Sequence, residues 1–416
     1  MVKKFFILIF FLFSFSFYIS YGLSLEEAIE MAKVNYPKLK LVKEEKLASK
    51  FAYKSNIFNF TPIISYSFSY SKYSDIEPLS YFNRNHSINI NWVIFNGGKN
   101  IIQYQISKNE YFNQSESYKE EVLDTVYSVK KAYFIATAYK EVLKYRKEQL
   151  KYAEIDYKVA VEKYKLGLVK KSDVLNSKVR FENAKYNYIQ SKSDYETSIA
   201  ELNSLIGLPL EAKTEVDEKE FYSFCNEKIE NFQSLYKQML VKRPLLKALR
   251  IKEKISELNT KQAIYDYTPS ISLFFQRNKN YSSLSGKDYY SIYGVKLDWL
   301  IFDGLGRYYR YLSAKHSQLS VRYDVKETLR KIKLNLYKTY ITYKKNLERL
   351  NLAREIVKQA EENYRQTLGE YKVGKNDIVA LVNSEKNLAD AQINLVNSVL
   401  NVVLTKIEID REVGRE

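Results

Sequence analysis

The chain has 416 residues, 45% of them apolar, with 66 Lys+Arg against 49 Asp+Glu and a formal net charge of +17. That is chain enough for two or three ordinary domains, and too balanced and too apolar for an unfolded polyelectrolyte. One cysteine, Cys225, excludes an intrachain disulfide; two histidines, His86 and His316, leave a catalytic His or a His/Cys metal site without support, and no P-loop, GxGxxG or GxSxG occurs.

Residues 1–22 read as a secretory leader. Lys3 and Lys4 are its positive start, Phe5 to Ile19 its apolar stretch, and Ser20-Tyr21-Gly22 the small residues that cleavage needs. Removing two lysines takes the net charge from +17 to +15. No other run is apolar enough for a transmembrane helix, so a membrane-spanning part must be built of strands. Lysines lie beside glutamates without a compact basic block, which reads as solvated helix faces and not as a nucleic-acid surface. No enzyme, cofactor or metal is expected.

Ser24-Leu25-Glu26-Glu27 is a capping box opening a helix over about 24–57, which Pro37 kinks or restarts. In "IISYSFSYS", Ile64, Tyr66, Phe68 and Tyr70 alternate with Ser65, Ser67, Ser69 and Ser71. Ile88, Ile90, Trp92 and Ile94 alternate likewise in "NINWVIFNGGKN". Period two predicts strands over about 62–72 and 86–96. From Gly98 to Gly167 there is no Gly or Pro, and Val122, Val126, Val129, Tyr133 and Ala136 recur at helical spacing. A helix over about 99–166 would be ~100 Å long. Another follows over about 171–206.

The pattern then repeats at an offset of 207. Pro37 and Pro62 match Pro244 and Pro269; Trp92, Phe95 and Gly97 match Trp299, Phe302 and Gly304; Tyr164, Gly167 and Gly207 match Tyr371, Gly374 and Gly414. Repeats therefore occupy 23–208 and 233–416, with a connector over 209–232. The second repeat is expected to have helices over about 234–265, 306–373 and 378–413 and strands over about 269–279 and 289–303. In each repeat the two short helices together equal the long one, which fits two antiparallel columns. Four strands are long enough to cross a bilayer but too few to close a barrel. At least three chains, supplying twelve strands, are needed to enclose a lumen, and their association would pair the open strand edges. Tyr66, Phe68, Ile88, Ile90, Trp92, Leu297 and Trp299 are the expected lipid-facing residues.

The duplicated strand ends "NWVIFNGGKN" and "DWLIFDGLGR" and the turns "EKYKLGLVKKSDVLNSK" and "GEYKVGKNDIVALVNSE" carry a resemblance to the TolC-like outer-membrane factor family, over nearly all of the mature chain. That resemblance implies a mainly α chain with a membrane β-barrel. Its helix-strand-strand-helix-helix repeat would complete a twelve-strand barrel and an α-helical barrel as a homotrimer. It implies an export duct in the outer membrane, with its tunnel in the periplasm, serving a tripartite efflux or type I secretion system. Its implied partners are outer-membrane lipid, a periplasmic adaptor (membrane fusion protein) and an inner-membrane transporter of RND, ABC or MFS type. At the tips, Tyr164, Gly167, Leu168, Gly374 and Lys375 correspond to adaptor-contacting turns, and Asp173 and Tyr371 to a latch closing the entrance. The family's acidic ring positions are Ala380 and Asn383 here, a departure that leaves Asp377, with Asn383, as the candidate ring. The alternative function is a structural or adhesive envelope protein with a helical stalk.

Overall fold

The computed structural model describes residues 22–74, 81–226, 229–373 and 375–416. The expected leader, apart from Gly22, and the turn residue Gly374 lie outside the described residues.

The first repeat runs α1 (Leu25–Asn35), α2 (Pro37–Ile57), β1 (Ile63–Tyr73), β2 (Tyr81–Phe95), α3 (Lys99–Lys165) and α4 (Lys171–Ile206). A short α5 (Lys219–Ser223) lies in the connector. The second repeat runs α6 (Phe232–Lys242), α7 (Pro244–Tyr265), β3 (Ser270–Ser282), β4 (Gly286–Asp298), α8 (Gly306–Lys372) and α9 (Ile378–Val413). The long helices α3 and α8 have 67 residues each, and α4 and α9 have 36 each.

The leading helix of each repeat is two helices. Tyr36 (φ −63°, ψ 119°) and Arg243 (φ −65°, ψ 120°) are extended. Each precedes a proline, whose ring disfavours helical backbone in the residue before it. Proline then serves as first residue of the next helix, where its missing N–H costs nothing. Ser24 caps α1: its Oγ accepts from Glu27 N–H at 3.3 Å, and Glu27 Oε2 accepts from Ser24 N–H at 2.9 Å.

Two compact units emerge. One comprises the described residues up to Lys40 together with 121–243 and 332–416. Its core contains Val126, Val129, Tyr133 and Ala136 of the α3 stripe, all buried, with Val122 half-buried. Leu202 and Ile206 of α4, Met239 of α6 and Val403 of α9 are fully buried here as well. Each such side chain contributes about 1.5–3 kcal/mol. Gly207 and Gly414 end α4 and α9 in left-handed conformation (φ +78° and +86°). Each is pressed against a pre-proline break: a Cβ on Gly207 would lie 2.5 Å from Asn35 Cβ, and one on Gly414 would lie 2.9 Å from Arg243 Cα. The buried Arg243 guanidinium is ion-paired with the buried Glu412 carboxylate. The connector is part of this core, with Phe221 and Cys225 buried and Val216 bridged to Leu23. Tyr133 Oη, 2.8 Å from Leu23 O, ties α3 to that bridge.

The other unit comprises 41–120 and 244–331 and holds the sheet. Its helices bury Leu246, Ala248 and Leu249 of α7 and a cluster of Ile102, Ile106 and Leu258, with Ile255 and Tyr265 against that cluster. The strands form one antiparallel sheet in the order β1-β2-β3-β4.

β4 was expected to run to 303 and ends at Asp298. Asp298 pairs with Ser270, the first residue of β3, and Pro269 before it has no N–H to offer. Trp299 therefore lies just past the strand, tethered by its indole N–H to Tyr267 O at 3.2 Å. Trp92, its counterpart 207 residues earlier, donates to Phe60 O at 2.9 Å. At Ile94 the β2–β3 register slips, so that Phe95 and not Ile94 pairs with Ile271.

Candidate functional site

The pairing register sorts strand residues onto two faces. Cross-strand rows on one face are Ile64, Ile90, Phe275 and Tyr293; then Tyr66, Ile88, Arg277 and Ser291; then Phe68, His86, Lys279 and Tyr289. Trp92, Leu273 and Val295 make a further apolar row on the helix side, and Leu297 pairs there with Ile271. The expected lipid-facing residues within strands thus share one face. Tyr66, Phe68, Ile88, Trp92 and Leu297 are exposed on it, and Ile90 is half-buried between neighbours.

The opposite face is rich in small polar groups, with Ile63, Phe274, Tyr290 and Ile292 among them. Ser67, Ser87 and Asn278 form one row, and Ser65, Asn89 and Gln276 the next. Ser67 and Ser87 hydroxyls are 2.6 Å apart, and Asn89 Nδ2 donates to Ser87 Oγ at 3.1 Å. Charge enters this face on β4, at Asp288 and where Lys296 pairs with Asp298 at 2.9 Å. Among the described residues, β1 and β4 each have one unpaired edge. A sheet that is apolar on one side, hydrophilic on the other and open at both edges is a section of wall between lipid and water.

The turns joining the long helices are built alike. Gly167 (φ +71°) donates to Tyr164 O at 2.9 Å and Leu168 N–H to Lys163 O at 2.9 Å. This six-to-one bond closes α3 in a left-handed glycine cap. Its counterpart closes α8, where Lys375 N–H donates to Glu370 O at 2.9 Å. Nothing lies within 4 Å of a Cβ placed on Gly167, so the positive φ alone selects glycine there. Tyr164, Leu168 and Lys375 are exposed. The sequence reading missed Leu166 and Val373, 73% and 69% exposed, although they too are 207 apart. The repeat offset marks them as paired apolar knobs.

Asp173 and Tyr371 are not bonded to each other among the described residues. Asp173 Oδ2 instead accepts from Lys170 N–H at 3.1 Å at the start of α4. Asp377 caps α9, its Oδ1 accepting from Ala380 N–H at 2.8 Å. Asn376 holds the turn from the other side, donating to Glu370 Oε2 at 3.0 Å. The bond from Gln366, and after it this one from Asn376, keeps the Glu370 carboxyl below its ordinary range. Asn383 is exposed one turn further along α9.

A cleft of about 720 Å³ opens among the same four helices, lined by Tyr152, Asp156, Arg180, Tyr364 and Glu385 among others. Burial, and next to it the charge of Asp156, pushes the Glu385 carboxyl up to about 7. Burial raises Asp156 as well, opposed by Arg180. No spacing rule announced this group, because its members come from four helices. Among the described residues no helix is long and apolar enough to cross a membrane, and no cluster of three or more His, Cys, Asp or Glu is poised for a metal.

The family described as outer membrane efflux protein matches residues 31–208 and 235–415. No curated protein matches the chain. Among solved structures, the chain is similar to the Campylobacter jejuni CmeC outer membrane channel at 16% identity and TM-score 0.82, covering 94% of this chain and 85% of that one. It is similar to the Vibrio cholerae outer membrane protein VceC at 14% identity and TM-score 0.78, covering 94% and 96%. The open Neisseria gonorrhoeae MtrE outer membrane channel aligns at 15% identity and TM-score 0.78, covering 94% and 89%.

Proposed function

Because the chain belongs to the outer membrane efflux protein family, a family of channels and not of enzymes, we propose that three copies join edge to edge into a twelve-strand barrel and act as a passive export duct. The observation that carries this is the two-faced sheet with both edges unpaired. Bare N–H and C=O groups in hydrocarbon cost several kcal/mol each, so an open sheet edge does not persist there. Pairing β4 of one copy with β1 of the next satisfies every edge, and three copies leave a lumen lined by the Ser and Asn face.

The duct serves a tripartite efflux or type I secretion assembly, with an inner-membrane transporter supplying the energy. Exposed Leu166, Leu168 and Val373, with Tyr164, Gly167, Gly374 and Lys375, take the periplasmic adaptor. Apolar groups held on rigid turns are suited to anchoring a partner helix. In the closed entrance Asp173 latches to Tyr371 through the carboxylate oxygen that the helix cap leaves over, and Asp377 contributes the ring of charge. Single-channel recording in planar bilayers tests the duct: discrete, long-lived conductance steps are expected. A protein that inserts and never conducts would instead be an envelope stalk.

A further inference from the structure

The apolar face of the sheet changes character along the strands. Toward the helices its rows carry no charge: Ile64, Ile90, Phe275 and Tyr293, then Trp92, Leu273 and Val295. Toward the hairpins, basic side chains enter the same face. Arg277 stands beside Ile88, Lys279 beside His86, and Arg84 lies in one row with Tyr70, Tyr281 and Lys287. Lys72 follows beside Phe82. All five cations are exposed, and among the described residues none is ion-paired with a carboxylate. At the same levels the other face holds Ser69, Ser71, Asn83, Asn85, Asn278 and Asn280, and the charge it carries there, Asp288 opposite Asn280, is negative. Within the strands, Lys296 apart, the positive charge of Lys and Arg is thus confined to the side that meets lipid and to the end away from the helices.

Aromatic rings interleave with these cations. The Arg84 guanidinium lies 5.8 Å from the Tyr70 ring centre and 5.2 Å from that of Phe82; Lys279 Nζ lies 5.3 Å from that of Tyr289. A ring at the headgroup level with a cation over it is the arrangement that anchors a barrel at a polar–apolar boundary. Guanidinium and ammonium groups there have a natural counter-ion in a phosphate ester.

We propose that Lys72, Arg84, Arg277, Lys279 and Lys287 form a binding belt for phosphate-bearing lipid headgroups of the leaflet at the hairpin end of the sheet. The belt rests on the barrel reading above, which sets this face toward lipid. Arg277, nearest the charge-free rows, reaches up along its stem while the other four lie at the headgroup level. Three copies would present fifteen such cations around one ring, enough to hold multiply phosphorylated lipid by several contacts at once.

The test uses the full-length protein purified in neutral detergent. It is exposed to lipid A carrying two phosphates or to the same lipid dephosphorylated, and retained lipid is counted by native mass spectrometry. The expected result is preferential retention of the phosphorylated lipid. Retention should fall about fivefold for each charge removed in Arg84→Gln, Lys279→Gln and their combination, and stay unchanged in Lys296→Gln on the opposite face. Equal retention of both lipids, or full retention by the combined variant, overturns the belt. Displacement by millimolar inorganic phosphate would make it a site for free anions and overturns the lipid assignment. Single-channel recording of the same preparations separates the two claims. Conductance without lipid preference sinks only the belt, and a failure of the wild type to conduct sinks the duct. The variants' recordings also establish that they fold.

Discussion

Replacing Gly414 by Ala should destabilise the chain far more than the same change at Gly167, although both glycines end long helices with positive φ. At Gly167 (φ +71°) the added methyl meets nothing within 4 Å, so the loss is the left-handed backbone alone, about 1–2 kcal/mol. At Gly414 (φ +86°) the new Cβ would lie 2.9 Å from Arg243 Cα, 3.0 Å from Arg243 N and 3.1 Å from Lys242 C. Those are backbone atoms and cannot rotate away. Relief requires moving the pre-proline break, and with it Arg243, whose guanidinium is paired with Glu412 where both are nearly solvent-free. Breaking such a pair costs about 3–5 kcal/mol, so Gly414→Ala should lose about 4–7 kcal/mol in all. Urea unfolding followed by far-ultraviolet circular dichroism in detergent micelles measures both variants against the wild type. Equal losses at the two positions would refute the claim that the end of α9 is pressed onto the α6–α7 break.

Asp377→Asn keeps a good helix cap and removes a charge. If the three copies' carboxylates form a ring, block of the channel by divalent cations should weaken, and unchanged block removes the ring; Asp377→Ala should in addition lose about 1 kcal/mol of stability. Glu385 has a native value of about 7 against an ordinary 4.5, so folding favours its protonated form. Its contribution is complete below pH 4.5 and is lost as pH rises through 7. Glu385→Gln should therefore stabilise at pH 8 relative to wild type by about 1 kcal/mol, a figure reduced for solvent screening of a half-exposed group, and have no such effect at pH 4; equal effects at both pH values would contradict this. Asn89→Lys, on the hydrophilic face, should shift the reversal potential toward anion selectivity, whereas Ile88→Val on the other face should leave it in place.

What the sequence made legible was whatever the backbone itself enforces. Period-two alternation at Ile64 to Tyr70 and at Ile88 to Trp92 marked strands. Pro37 marked a helix break, although the matching break at Pro244 was not drawn from it, and the constant offset of 207 exposed the duplicated order of elements. The turn caps at Gly167 and Lys375 obey the same offset. Contacts between distant segments were not legible. Nothing in the spacing says that Gly207 lies on Asn35, that Arg243 pairs with Glu412, or that the connector buries Phe221 and Cys225. Those contacts depend on which helix faces meet, and many packings satisfy the same periodicity. β4 stops at Asp298 because of what its neighbour lacks, a donor at Pro269, and the pattern of β4 itself holds no sign of it. The basic rows emerged only once the β2–β3 pairing joined residues from both repeats.

One number bears most directly on the whole account: the mass of the protein released intact from detergent micelles into a native mass spectrometer. A sheet open at both edges predicts a particle of three chains that stays together until the strands themselves are denatured. A stable, folded single chain with its β1 and β4 edges bare would contradict it.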